Sequence, residues 1–241
     1  MRTWLIPVLL MSTPVFADPD YAREQRWADE VAPTVVVGDP IYLEQKNKHK
    51  FLGLYAEAPK ARMAVVVAHG MGIHPDWGLI GTLRRNLVDA GYTTLSIQMP
   101  VLADEQRGDA YLPTFPEAAE RLQLAVAYLK AKGYKRIALV SHSMGSRMSH
   151  AYMLKNPAGV HAWVSMGMPV IDSYAGIKVP VLDLYGAKDM EVVLAGGAKR
   201  RDSLKGHAGS KQMVVPDANH FFGEHEAAMV KAVKEYLDGV K

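Results

Sequence analysis

From residue 62 onward, short apolar runs rich in β-branched residues alternate with stretches of helical spacing. No other feature narrows the fold as much. "RMAVVVAHG" (residues 62–70) is a continuous apolar run ending in His-Gly, the pattern of a strand buried on both faces. "LIGTLRRNLVDAGY" then carries apolar residues at helical intervals and stops at Gly91. "TTLSIQMP" reads as a strand. In "TFPEAAERLQLAVAYLKAKG", Thr114 and Glu117 form a capping-box pattern, Leu122, Val126 and Leu129 share one face, and Gly133 ends the helix. "RIALVSHS" is strand, and "MGSRMSHAYMLKNP" is a helix stopped before Pro157. "HAWVSMGMP", "VPVLDLYGAKD" and "KQMVVPDANH" are further strands. "EHEAAMVKAVKEYLDG" closes the chain as an amphipathic helix with Met229, Val233, Tyr236 and Leu237 inward.

Strands separated by helices are βαβ units, so the prediction is an α/β fold with a mostly parallel sheet and helices on both faces. Two strands, "TVVVGDPIYL" and "FLGLYAEA", are expected ahead of it as an antiparallel lead-in, after an exposed, charged opening at residues 18–30. At 241 residues and 49% hydrophobic, the chain supports one substantial core and is too short for two full enzyme domains. Residues 18–241 are therefore expected to form one domain. Residues 1–17 read differently: Arg2 is followed by an apolar stretch from Trp4 to Phe16, with small-residue positions at Val15 and Ala17. That is the layout of a secretory signal cleaved after Ala17, and Ser12, Thr13 and two prolines argue against a membrane anchor. The expected location is the periplasm or the medium. The chain has no cysteine, which excludes disulfides, a thiolate nucleophile, a cysteine metal site and a lipoprotein anchor. The net charge of +3 falls to +2 when Arg2 is removed; without a basic stripe it gives no case for nucleic acid.

Right-handed crossovers bring the loops after parallel strands to one edge of the sheet. Four of those loops carry chemistry: "HGMG", "SHSMG", "GAKD" and "DANH". In order and context they resemble the α/β-hydrolase superfamily, over nearly all of residues 18–241. "SHSMG" falls where that family carries its G-x-S-x-G turn, with Ser141 in place of the usual first glycine. The resemblance implies a serine hydrolase with Ser143 as nucleophile, Asp189 as the acid and His220 as the general base. It also implies an oxyanion hole made by the N–H groups of Met71 and Met144 and no cofactor; no connection in the sequence is long enough for a separate lid domain. Asp183 lies inside a strand; Asp217 is the alternative acid. His225 is expected in a solvated first helical turn, and His142 packed beneath the serine turn. Short exported bacterial members of uncharacterised function are similar, particularly in "HPDWG" and "TLSIQMP".

The activity this implies is hydrolysis of a carboxylic ester through an acyl-enzyme, with a small-molecule ester or acyl substrate. Peptidase or amidase chemistry from the same triad, or a non-catalytic binding or envelope protein on this fold, is the alternative. Met71, Ile73, Trp77, Met99, Tyr111, Met168 and Phe221 are expected to form an apolar rim, with Gly70, Trp77, Met99 and Phe221 binding substrate. Residues 99–113 are expected beside the site. His69, His74 and Asp76 match no known zinc spacing, so no metal is expected, and Asp76 reads more simply as the cap of the next helix.

Overall fold

A computed structural model describes residues 18–240, so the expected signal segment lies outside the described residues. The described residues include eight strands in one sheet of order β1-β2-β4-β3-β5-β6-β7-β8. These are β1 Asp39–Glu44, β2 Lys50–Ala56, β3 Ala64–Ala68, β4 Thr93–Ile97, β5 Ile137–His142, β6 Ala162–Met166, β7 Val181–Lys188 and β8 Lys211–Asn219. From β4 across to β8 all neighbours are parallel, while β1 and β2 join antiparallel as the sequence predicts.

The continuous apolar runs follow from having cover on both faces. Successive side chains of β3 point to opposite sides. Val65 and Val67 meet Leu83 and Leu87 of α2 (Gly78–Asp89) and Met229 and Val233 of α7 (Glu226–Gly239). Val66 points the other way, into a cluster with Leu122 and Leu129 of α3 (Phe115–Ala131) and Met148 of α4 (Met144–Met153). Among the described residues no helix is long and apolar enough to cross a membrane.

Several local expectations are overturned, each by a long-range partner. The opening is not an exposed segment but a helix, α1 (Tyr21–Val31), capped by Asp20, whose carboxylate accepts from the Arg23 N–H at 2.9 Å. Its Glu24 is buried, 2.9 Å from the buried Arg121 guanidinium, which also reaches Glu117 at 2.6 Å and Gln45 at 3.0 Å. Glu117 is thereby taken out of the capping box. Thr114 instead bonds the Tyr111 carbonyl at 2.7 Å, at the end of a 3-10 helix spanning Gly108–Thr114. The first half of "TVVVGDPIYL" is not strand: residues 32–34 form a 3-10 turn, and Val36 is 85% exposed. Asp76 does not cap α2; its carboxylate holds Arg84 at 2.6 Å and Arg85 at 3.0 Å. Two short helices, α5 (Glu191–Leu194) and α6 (Gly197–Ser203), separate β7 from β8 where the sequence reading placed none.

Asp183 shows what an aspartate inside a central strand is for. Fully buried, it accepts from Arg200 at 2.9 Å, Tyr174 at 2.8 Å and Gln212 at 2.8 Å. Removing its charge leaves a buried guanidinium uncompensated, so Asp183→Asn should cost about 3–5 kcal/mol. Asp217→Asn breaks only the exposed pair with Lys188 and should cost less than about 1 kcal/mol. Urea denaturation of both variants checks this; equal midpoints would contradict it.

Candidate active site

The chain runs from β3 to β4 on one side and later returns to β5 on the other, so β3 lies between its two successors. At such a reversal the loops diverge and leave a crevice at the carboxyl ends of the strands. The loops after β3 and β5 meet there. Their contact requires a glycine on the β5 side and leaves little room for a side chain on the β3 side. A Cβ on Gly70 would stand 3.1 Å from the Ser143 Cβ, and one on Gly145 only 2.2 Å from the His69 carbonyl oxygen.

Ser143 sits between β5 and α4 with φ 57° and ψ −122°, a conformation that an L-residue adopts only when its surroundings enforce it. Its N–H donates to the Met166 carbonyl at 2.9 Å, which fixes the turn. Its hydroxyl does not cap the helix. Instead Oγ lies 2.9 Å from Nε2 of His220, whose Nδ1 lies 2.6 Å from Oδ1 of Asp189. The carboxylate only accepts, so the network assigns the ring proton to Nδ1, leaving Nε2 to accept from the serine. Asp189 is held by the Met190 N–H at 2.7 Å and, more loosely, the Gly186 N–H at 3.4 Å. Thus Ser143, His220 and Asp189, named from sequence, converge. Asp217, the alternative acid, is paired with Lys188 at 2.8 Å on the surface.

The departure at Ser141 has a local explanation. Its hydroxyl accepts from the Trp163 indole at 2.8 Å, within a buried cluster that includes Ser146. A small polar side chain fits there because it has a donor to meet. Met144 begins α4, so its N–H has no acceptor inside the helix, and it stands at the positive end of the dipole. Met71 is half-buried and follows Gly70 directly.

Support for His220 comes from residues the sequence reading did not assign to it. His142 is buried, its Nε2–H donates to the His220 carbonyl at 2.9 Å, and the two rings lie 4.7 Å apart. It therefore packs beneath the His220 loop as well as the serine turn. Gly167 leaves room for the imidazole: a Cβ there would come within 3.0 Å of its Cε1. The signal for Gly167 is a glycine immediately after a buried strand, with φ +54°. Asn219 ties down the loop by accepting from the Phe221 N–H at 2.9 Å. His225 is only half-buried and bonds the Gly223 carbonyl at 2.9 Å at the start of α7.

The expected rim needs correction. Met99, Tyr111 and Met168 are core residues, and Met99 is 1% exposed, so it is no substrate-binding residue. Residues 99–113 fold down onto the body. The Tyr111 hydroxyl accepts from the Leu102 N–H at 3.1 Å, and Asp109 pairs at 2.9 Å with Arg147 of α4. Gly70 is buried and acts by its small size. Trp77 and Phe221 remain exposed at the edge of the site, while Met71 and Ile73 are half-buried. His69 has both ring nitrogens engaged, with Gly70 O at 2.8 Å and Met99 N at 2.9 Å, and so offers no free ligand atom. A hollow of about 570 Å³ lined by Pro180, Ser210, Lys211 and Tyr236 opens at the opposite, amino edge of the sheet, away from this chemistry.

A family model described as a protein of unknown function (DUF3530) matches residues 36–115. No curated protein matches the sequence. Solved structures share the architecture. A dienelactone hydrolase from Anabaena variabilis is 22% identical, with a TM-score of 0.67 over 83% of this chain and 98% of that one. The protein Est1E from Butyrivibrio proteoclasticus is 15% identical, with a TM-score of 0.64 over 82% and 97%. An α/β serine hydrolase without a lid from Xanthomonas campestris is 13% identical, with a TM-score of 0.69 over 85% and 95%. The chain has the α/β-hydrolase fold, with no separate lid domain among the described residues.

Burial pushes the pKa of His69 and of His142 down to about 3. Both rings stay neutral in the native state but protonate in the unfolded chain below its ordinary value of about 6.5. Their contribution is complete above that value and is lost as pH falls toward 3. Lowering pH from 7 to 5 should cost about 2 kcal/mol for each ring. His142→Gln should flatten the acid slope of stability by the contribution of one proton per molecule. Urea titrations at a series of pH values measure that slope, and an unchanged slope would refute the assignment for His142.

Proposed function

We propose that the chain is an exported serine hydrolase that cleaves a carboxylic ester through an acyl-enzyme. The observation that carries the reading is the hydrogen-bonded series Asp189–His220–Ser143, with the serine in a strained turn at a helix N-terminus. A serine retained only for packing has no need of that backbone strain or of an imidazole at 2.9 Å.

His220 Nε2 takes the proton as Ser143 Oγ attacks the carbonyl carbon. Asp189 keeps the ring in the required tautomer and stabilises the imidazolium. The N–H groups of Met71 and Met144 are the donors assigned to the oxyanion, each worth about 10²- to 10³-fold by comparison with a known hydrolase. The imidazolium returns its proton to the alkoxy oxygen, the alcohol departs, and water repeats the sequence on the acyl-enzyme. The neighbours support ester chemistry: one solved structure of Est1E contains ferulic acid, and another is an esterase from Pyrococcus furiosus. Export rests on the composition of residues 1–17 alone.

Purified protein should label with a fluorophosphonate probe and hydrolyse a short p-nitrophenyl ester, and Ser143→Ala should abolish both. Labelling that survives the substitution would place the reactive serine elsewhere. Exported material should begin at Asp18, which N-terminal sequencing reads directly.

His142 is in this reading a positioning residue, acting through the His220 backbone. His142→Phe removes the donor and should lower kcat by about 10- to 100-fold with little change in KM. His142→Gln, which returns an N–H near the position of Nε2, should recover most of it. A phenylalanine variant with wild-type kcat would show that the bond at 2.9 Å does not position the base.

A further inference from the structure

We propose that Trp77 and Phe221 form the subsite for the alcohol half of the substrate, and that it favours esters of aromatic or ring-bearing apolar alcohols. The inference rests on Ser143 and His220 acting as described above. Acylation forms the bond from Ser143 Oγ to the carbonyl carbon and breaks the bond from that carbon to the alkoxy oxygen. The proton taken from Ser143 passes from His220 Nε2 to the departing oxygen, and the alcohol leaves neutral. That oxygen must come within hydrogen-bond reach of Nε2. The carbon skeleton of the alcohol is therefore directed to the His220 side of the crevice.

What stands on that side is aromatic. Phe221 follows His220 directly, and its ring packs edge-on at 5.2 Å from the imidazole, with an interplanar angle of 74°. Trp77, at the start of α2, meets Phe221 at 5.6 Å and 65°. The two rings are 50% and 36% exposed, whereas the adjacent Phe222 is wholly buried in the core. The outward direction of Phe221 is fixed by its backbone. Asn219 holds its N–H at 2.9 Å, and Phe222 turns the chain at φ +54°. Two rings already paired edge to face present a rigid apolar corner to a third ring, at small cost in side-chain entropy.

The test holds the acyl group constant. Benzyl butyrate and methyl butyrate give the same butyryl-enzyme. Their kcat/KM values therefore differ only in steps where the alcohol is still attached or leaving. The wild-type protein should prefer the benzyl ester by about tenfold or more, and Phe221→Ala and Trp77→Ala should each reduce that preference by roughly three- to tenfold. Phe221→Tyr, which keeps the ring, should retain it. Preference along a series of acyl lengths at fixed alcohol should change far less. The rate of fluorophosphonate labelling at Ser143 in each variant reports whether the site itself is intact. An unchanged benzyl-to-methyl ratio in both alanine variants, with labelling intact, overturns the subsite. A shift in acyl preference as large as that in alcohol preference overturns it too. Absence of labelling in the wild-type protein overturns the nucleophile reading, and the subsite falls with it.

Discussion

The exit of β3 and the first turn of α4 approach each other so closely that only glycine fits at Gly145, where a Cβ would stand 2.2 Å from one carbonyl oxygen and 2.9 Å from the next. This approach sets the rest of the site. β3 and β5 are parallel neighbours, with Ala68 opposite Ser141, so their chains leave the sheet side by side. For α4 to start immediately and still pack on the face beside α3, the connecting residue must reverse direction in one step. That residue is Ser143, and its φ of 57° is the result. A strained residue of this kind costs about 1–3 kcal/mol, offset by the core that α4 buries through Met148, Tyr152 and Met153. The same geometry turns the Ser143 side chain away from the helix N–H groups it would otherwise cap, and toward His220.

Much of this was legible in the chain because buried parallel strands write themselves plainly. Val65 to Val67 and Ile137 to Val140 are apolar on both faces, Val181 to Leu184 is apolar apart from Asp183, and glycines or polar residues mark their ends. The order of the loops then places Ser143, Asp189 and His220 on one edge. Features decided by a distant partner were not legible. Thr114 and Glu117 match a capping box, yet Arg121 and Tyr21 compete for the same carboxylate and win. Residues 18–30 look solvated because the stretch is rich in charge, and nothing local announces that Arg121 meets Glu24 in the interior. Met99 and Met168 are apolar residues just past strand ends, and Tyr111 is an aromatic residue in the connection after β4. Apolar character alone does not separate a rim from a core.

Three aspartates illustrate how position in a strand decides a role that composition leaves open. Asp183 lies inside β7, where only full pairing makes a buried carboxylate tolerable, and Arg200, Tyr174 and Gln212 supply it. Asp189 lies just past the end of the same strand, buried but facing the crevice, and its strongest partner is an imidazole. Asp217, in β8, is exposed and meets only a lysine. A carboxylate that must stabilise a transient positive charge needs the second environment. In the first, its charge is already neutralised; in the third, water screens it.

His142 completes that logic from behind the base. A supporting group that carried a positive charge of its own would repel the imidazolium His220 becomes. Burial prevents this by keeping His142 neutral. The same burial has a cost, because Nδ1 of His142 has no hydrogen-bond partner among the described residues, and an unmet buried acceptor is worth about 1–3 kcal/mol. Gly70 packs against that nitrogen, and a Cβ there would approach it to 3.3 Å. The loop after β3 therefore stands against the ring that holds the base from one side, and against the nucleophile from the other. A displacement of that loop moves both, so the spacing of Ser143 and His220 depends on how firmly residues 69–72 are held. Their anchor is His69, whose ring is fixed by the Met99 N–H at 2.9 Å and by Gln98 at 3.0 Å, one strand further from the site.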